Sequence, residues 1–260
     1  MNRDLLRQFA VIFTTIYALV FNGAANAIPL NGRNTGQISD SFNVLFVPAG
    51  YVFSIWGVIY IGLLAFTIFH SLPAQRSNPR LRRIGWLAAL SSVANGTWIF
   101  FWHFGYYALS LVTMLTLLVT LIAIYLRLDV GRSATSTAER WSVNALFSVY
   151  LGWITVATIA NITDVLYYYG WNGFGVSPLA WTILLLVVGV VLAGAMIYTR
   201  RDAAYLLVLV WAFAGISVRF LTMPVLNVAG FAAAALTLAM VIASNLPGIR
   251  SKSSLPPLAQ

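Results

Sequence analysis

The chain is written as long apolar runs separated by short polar stretches, and that pattern leaves few folds open. A helix that crosses a bilayer needs about 20 predominantly apolar residues. Runs close to that length lie near 7–26, 47–70, 85–103, 106–127, 142–162, 178–198, 203–221 and 226–246. Of the 260 residues, 60% are hydrophobic and only 8% are charged, against roughly 25% charged in soluble domains. A water-covered core cannot absorb this much apolar side chain, so lipid must be the solvent. Backbone in lipid has to satisfy its own hydrogen bonds, which leaves helices or closed barrels, and runs this long select helices. The expected fold is all-α, a polytopic membrane helix bundle of about eight transmembrane helices.

A net charge of +9 raises the question of nucleic acid. The basic residues, however, stand in short clusters between apolar runs, which is what the positive-inside rule produces, so no nucleic-acid partner is expected. With the N-terminus inside, the inner segments hold Arg3, Arg7, Arg76, Arg80, Arg82, Arg83, Arg127, Arg132, Arg140, Arg200, Arg201, Arg250 and Lys252. The outer segments hold only Arg33 and Arg219. Both termini are therefore expected in the cytoplasm, with the 28–47 loop outside. A competing reading takes Arg3, Arg7, the stretch Phe9 to Phe21 and Ala25-Asn26-Ala27 as a secretory signal with its cleavage site.

The 28–47 loop carries turn chemistry at Asn31-Gly32, Gly36 and Ser39-Asp40-Ser41. Residues 251–260, with Pro256-Pro257, read as a disordered tail. The chain has no Cys, which removes disulfides and thiolate metal sites. No metalloprotease, nucleophile-elbow or P-loop motif is present. No enzyme activity, metal site or required cofactor is expected.

Helical register groups the residues that remain. Tyr150, Trp153, Ala157 and Asn161 share one face of their run, Trp56 and Tyr60 share another, and Asn95, Trp98 and Trp102 share a third. If these faces meet, they enclose an aromatic slot containing two amides. Trp and Tyr offer flat apolar surface with one donor each, which suits a planar ligand with a polar edge. Ala157 would leave space between aromatic walls. The bland alternative is packing for the aromatics and bonding across helices for Asn95 and Asn161. Trp86, Trp141, Trp171, Trp181 and Trp211 read as interface anchors or packing. Arg219 reads as a snorkelling side chain, with Asp164 as a candidate ion-pair partner. His103 is either an interfacial histidine or a lone haem ligand.

The stretch Pro48-Ala49-Gly50-Tyr51-Val52-Phe53-Ser54-Ile55-Trp56-Gly57-Val58-Ile59-Tyr60 resembles the start of the second helix in the tryptophan-rich sensory protein / translocator protein (TspO/MBR) family. Tyr150-Leu151-Gly152-Trp153-Ile154-Thr155-Val156-Ala157-Thr158-Ile159-Ala160-Asn161 resembles that family's fifth-helix signature. Between them, Asn95-Gly96-Thr97-Trp98 resembles the third helix's Asn-x-x-Trp. Ser54 and Val149 stand where the family pattern has Pro.

The resemblance implies a five-helix core over residues 1–165. Three further transmembrane helices over 166–250 have no counterpart in the five-helix family. It also implies a membrane receptor or regulator in the bacterial inner membrane, whose partners are the lipid bilayer and a small hydrophobic ligand: a porphyrin, haem or a sterol-like lipid. Pro48, Trp56, Tyr60, Asn95, Trp98, Tyr150, Trp153, Ala157 and Asn161 would contact a bound tetrapyrrole, and the long outer loop would act as a lid. Transport of such ligands and enzymatic degradation of a porphyrin are the alternatives. The last three helices would either complete the pocket wall or form a homodimer face through Gly189, Ala193, Ala229 and Ala233, whose small side chains allow close backbone approach.

Overall fold

The structure, a computed structural model, describes residues 2–28 and 30–245. The predicted tail at 251–260, with Arg250, lies outside the described residues. The helices are α1 (Arg3–Ala27), α2 (Thr35–Ser39), α3 (Ile55–Ser71), α4 (Pro79–His103), α5 (Tyr107–Leu128), the single turn α6 (Thr137–Glu139), α7 (Ala145–Tyr168), α8 (Pro178–Arg200), α9 (Ala203–Arg219) and α10 (Pro224–Asn245). Among the described residues there is no strand.

Local chemistry sets the helix ends. The Asn78 side chain accepts from the first turn of α4 and Pro79 follows at a position that needs no N–H. Ser177 and Pro178 repeat the device at α8. Arg201 adopts a left-handed conformation, φ 52°, and ends α8, after which the Asp202 carboxylate caps α9. Helix α4 begins before the apolar run at 85, because Arg80, Arg82 and Arg83 carry the helix out toward water. A π-helical turn, Arg140–Asn144, joins α6 to α7.

Among the described residues, seven helical segments are long and apolar enough to cross a membrane, and α9 is a shorter apolar helix. Its 17 residues span about 25 Å at 1.5 Å per residue. Helix α1 packs on α3 and α4, α4 on α5, and α5 on α7, while α9 packs on α7, α8 and α10. This places α7 at the centre, between the first helices and the last three. Ile59, Met114, Ile154, Ala212 and Phe213 are buried in a single core. On the outside, Phe13, Ile61, Val119 and Val191 are 64% to 71% exposed. Water does not tolerate so broad an apolar surface; acyl chains cover it.

The two ends of the bundle differ in charge, as the sequence pattern leads one to expect. At one end Arg7 donates to the Arg76 carbonyl at 2.7 Å. Arg82 pairs with Asp4, and Arg80 pairs with Glu139 and Arg200 with Asp129, each at 2.6 Å. At the other end Arg219 pairs with Asp40 of the 28–47 loop. This corrects the anticipated Asp164–Arg219 pair: the loop folds back over the end of α9, and its carboxylate reaches Arg219 instead.

The small residues of the last helices are also consumed within the chain. Gly189 and Ala193 are buried, and a Cβ on Gly189 would lie 2.5 Å from the Phe213 ring. Ala233 is buried as well. These positions let α8 and α10 approach α9, while Ala229 is half-buried.

Candidate functional site

The segment leading into α3 is held on α9. The Ala49 N–H donates to the Gly215 carbonyl at 3.0 Å, and Trp211 Nε1 donates to the Val52 carbonyl at 3.1 Å. A Cβ at position 215 would stand 2.2 Å from Val52 and 3.3 Å from Pro48, so only glycine permits this approach. The 3-10 turn Gly50–Ser54 then feeds α3 and sets Phe53 and Trp56 at the centre of the first five spans.

Four rings continue from there in near-parallel array. Tyr60 stacks on Trp56 at 5.6 Å and 21°, Trp56 on Trp98 at 6.0 Å and 25°, and Trp98 on Trp102 at 5.9 Å and 19°. Trp153 of α7 meets this row edge-on, 6.2 Å and 84° from Trp56, and also meets Phe53 edge-on at 5.9 Å. Between the walls lies a narrow cavity of about 40 Å³, well short of the roughly 300–1,000 Å³ of open small-molecule sites, so a ligand of that size would have to part the aromatic walls.

Six of the nine expected ligand contacts line this cavity, Pro48, Trp56, Trp98, Trp153, Ala157 and Asn161, and Trp102 of the same α4 face joins them. Tyr60, Asn95 and Tyr150 do not. They form a buried chain beside it, in which Tyr60 Oη donates to Asn22 Oδ1 at 2.8 Å. Asn22 Nδ2 donates to Asn95 Oδ1 at 2.5 Å, and Asn95 Nδ2 donates to Tyr150 Oη at 2.8 Å. Both polar atoms of Asn95 are thus used in joining α1, α4 and α7. Asn161 differs: its amide nitrogen donates to Ser110 Oγ at 3.4 Å, while its oxygen has no partner.

The cavity also takes residues that sequence reasoning did not place in it. Val156, Ala160 and Asp164 line it from α7, together with Phe53 and, from α2, Thr35 and Ser39. Asp164 follows Asn161 by three positions and Ala157 by seven, so helical register carried that signal. Thr35 and Ser39 carried none, because a loop's resting place is a tertiary fact.

His103 explains how the loop is held. Its Nδ1 lies 3.1 Å from the Leu30 carbonyl and its Nε2 lies 3.1 Å from Thr35 Oγ1. With both ring nitrogens engaged, the histidine clamps the loop, and the haem-ligand reading gives way to this one. Trp102 Nε1 adds a bond to the Thr35 carbonyl at 3.4 Å. An Asn34–Gln37 capping box fixes α2 itself.

Four polar atoms on the cavity walls remain buried without a hydrogen-bond partner: Trp98 Nε1, Trp153 Nε1, Asn161 Oδ1 and Asp164 Oδ1. Each such group costs about 1–3 kcal/mol, and buried polar groups are otherwise almost always paired. Their gathering around one aromatic cavity gives it both flat apolar walls and polar atoms free to bond.

A protein-family model described as TSPO-like protein matches residues 8–243. The match continues through α8, α9 and α10, the helices that the five-helix resemblance left without counterparts. No curated protein and no solved structure matches the chain.

Proposed function

Because the chain belongs to the TSPO-like family, we propose that it is a membrane receptor or regulator holding a tetrapyrrole or sterol-like lipid in the slot between α3, α4 and α7. The observation that carries this reading is the convergence of the four unpartnered atoms on a cavity walled by Trp56, Trp98, Trp102 and Trp153. The aromatic faces supply area and the unpaired groups supply orientation. The loop with α2 closes the outer end as a lid, held by His103 and by the Arg219–Asp40 pair. Residues 1–165 form the ligand-holding unit. The last three helices, α8 to α10, buttress it through α9, which carries the Pro48–Val52 segment on Gly215. The basic end of the bundle faces the cytoplasm of a bacterial inner membrane.

The test is titration of the purified protein with protoporphyrin, haem and a sterol, read by Trp fluorescence quenching and, for the tetrapyrroles, by a shift of the Soret band. Saturable quenching that is lost in Trp153→Ala is expected. Quenching that is linear in ligand and indifferent to Trp153 would overturn the assignment.

A further inference from the structure

The α7 wall of the slot has a definite polarity at its Asn161–Asp164 end. Asn161 and Asp164 lie one helical turn apart on one face and are only 3% and 2% exposed. Each has one oxygen without a partner. The nitrogen of Asn161 is already committed to Ser110, so what this side chain offers the cavity is a carbonyl oxygen. Asp164 adds a carboxyl oxygen beside it. Of the basic groups at this end, Arg219 pairs with Asp40, both ring nitrogens of His103 hold the loop and Arg33 lies on that loop beside His103; none of them bonds the free Asp164 oxygen. Of the slot's unpartnered donors, the indole N–H of Trp98 belongs to α4, and that of Trp153 lies on α7 more than two turns before Asn161.

We infer that the slot selects planar ligands whose edge at Asp164 carries N–H donors, as a protonated amine, an amidine or a ring N–H does, and rejects ligands that place a carboxylate there. Asp164 is the specificity-determining residue and Asn161 supports it. A donor edge satisfies both oxygens at once. A carboxylate edge sets an acceptor against the Asn161 oxygen and brings a second carboxyl group beside Asp164, and two acid groups in a dry, low-dielectric site cannot both ionise. Sites built to bond one polarity of group reject the other far more strongly than apolar pockets reject a difference in size. An acid-bearing tetrapyrrole would therefore have to enter with its carboxylates turned away from Asp164. This inference rests on the slot being the ligand site.

Two probes with the same planar body separate the alternatives: 1-pyrenemethylamine, an ammonium at neutral pH, and 1-pyrenecarboxylic acid, a carboxylate. Binding to the detergent-purified full chain is read as energy transfer from Trp to pyrene. Transfer in Ala157→Leu, whose larger side chain fills the slot, is subtracted as micelle background. The wild-type chain is expected to prefer the amine by about tenfold or more. In Asp164→Asn both probes should still bind, with that preference largely abolished. Asn161→Asp, which adds a second carboxyl, should widen the preference and serves as an independent arm if Asp164→Asn does not yield folded protein. If both probes bind above background with a ratio that neither variant moves, or if the carboxylate binds better, the slot remains the ligand site and the donor-edge inference is overturned. If neither probe exceeds background, the slot assignment itself falls, and the inference with it.

Discussion

Two buried asparagines show how the same side chain serves different ends. Asn95 is bonded on both sides, to Asn22 and to Tyr150, so it holds three helices together. Asn95→Leu should lower thermal stability by about 1–3 kcal/mol, the cost of stranding buried polar partners. Asn161→Leu gives up one long bond and removes an orphaned oxygen, so its melting temperature should stay near wild type while ligand affinity changes. Thermal melts of both variants in one detergent check this, and equal destabilisation would mean that both amides are structural. Ala157 poses a similar choice between close helix packing and open space. In a packed interface Ala157→Leu would overpack, at about 1–3 kcal/mol. Since Ala157 lines the cavity, stability is expected to hold or rise while tetrapyrrole quenching disappears. A destabilised Ala157→Leu that binds normally would reject the slot.

At the scale of elements, the contact between α9 and the 48–52 segment joins the two parts of the chain. Position 215 touches no part of the cavity, yet it sets the height of Pro48, which does. Gly215→Val would drive a branched side chain against Val52 and Pro48, whose short, stiff side chains cannot swing aside. A stability loss of about 1–3 kcal/mol is expected, together with weaker ligand binding. Stability and affinity can be measured on the same preparation. Loss of stability with unchanged affinity would show that the last three helices support the fold without shaping the slot. The short α9 is tolerated at this position because α7, α8 and α10 enclose it, so lipid meets little of its length.

For the molecule as a whole, the eight apolar helices place the start of α1 and the end of α10 at the same, basic end. Reporter fusions should therefore show a cytoplasmic C-terminus and an external 28–47 loop. An active periplasmic reporter at the C-terminus would reverse the orientation. Helix α1 is built into the bundle: Asn22 sits in the buried chain, and the Arg7 side chain crosses Gly85 so closely that a Cβ there would lie 2.4 Å away. Mass analysis of the purified protein should accordingly find the bond after Ala27 intact, because cleavage there would leave Asn95 Oδ1 without its donor.

Membrane thickness and helical period act along one dimension, and what depends on them was legible in the chain. The apolar runs, the segregation of basic residues, and the shared face of Trp153, Ala157 and Asn161 all follow from spacing alone. Spacing does not determine how far each helix is rotated about its axis or which neighbour it meets at a given depth. Those are settled by contacts between residues far apart in sequence. Tertiary packing therefore decided that Asn22 bonds Asn95, and that Tyr60 and Tyr150 fall beside the cavity and not on its wall. It also decided that Asp40 takes Arg219 from Asp164, leaving that carboxyl facing the slot, and that Thr35 and Ser39 close over the site from a loop that in sequence shows only its turns.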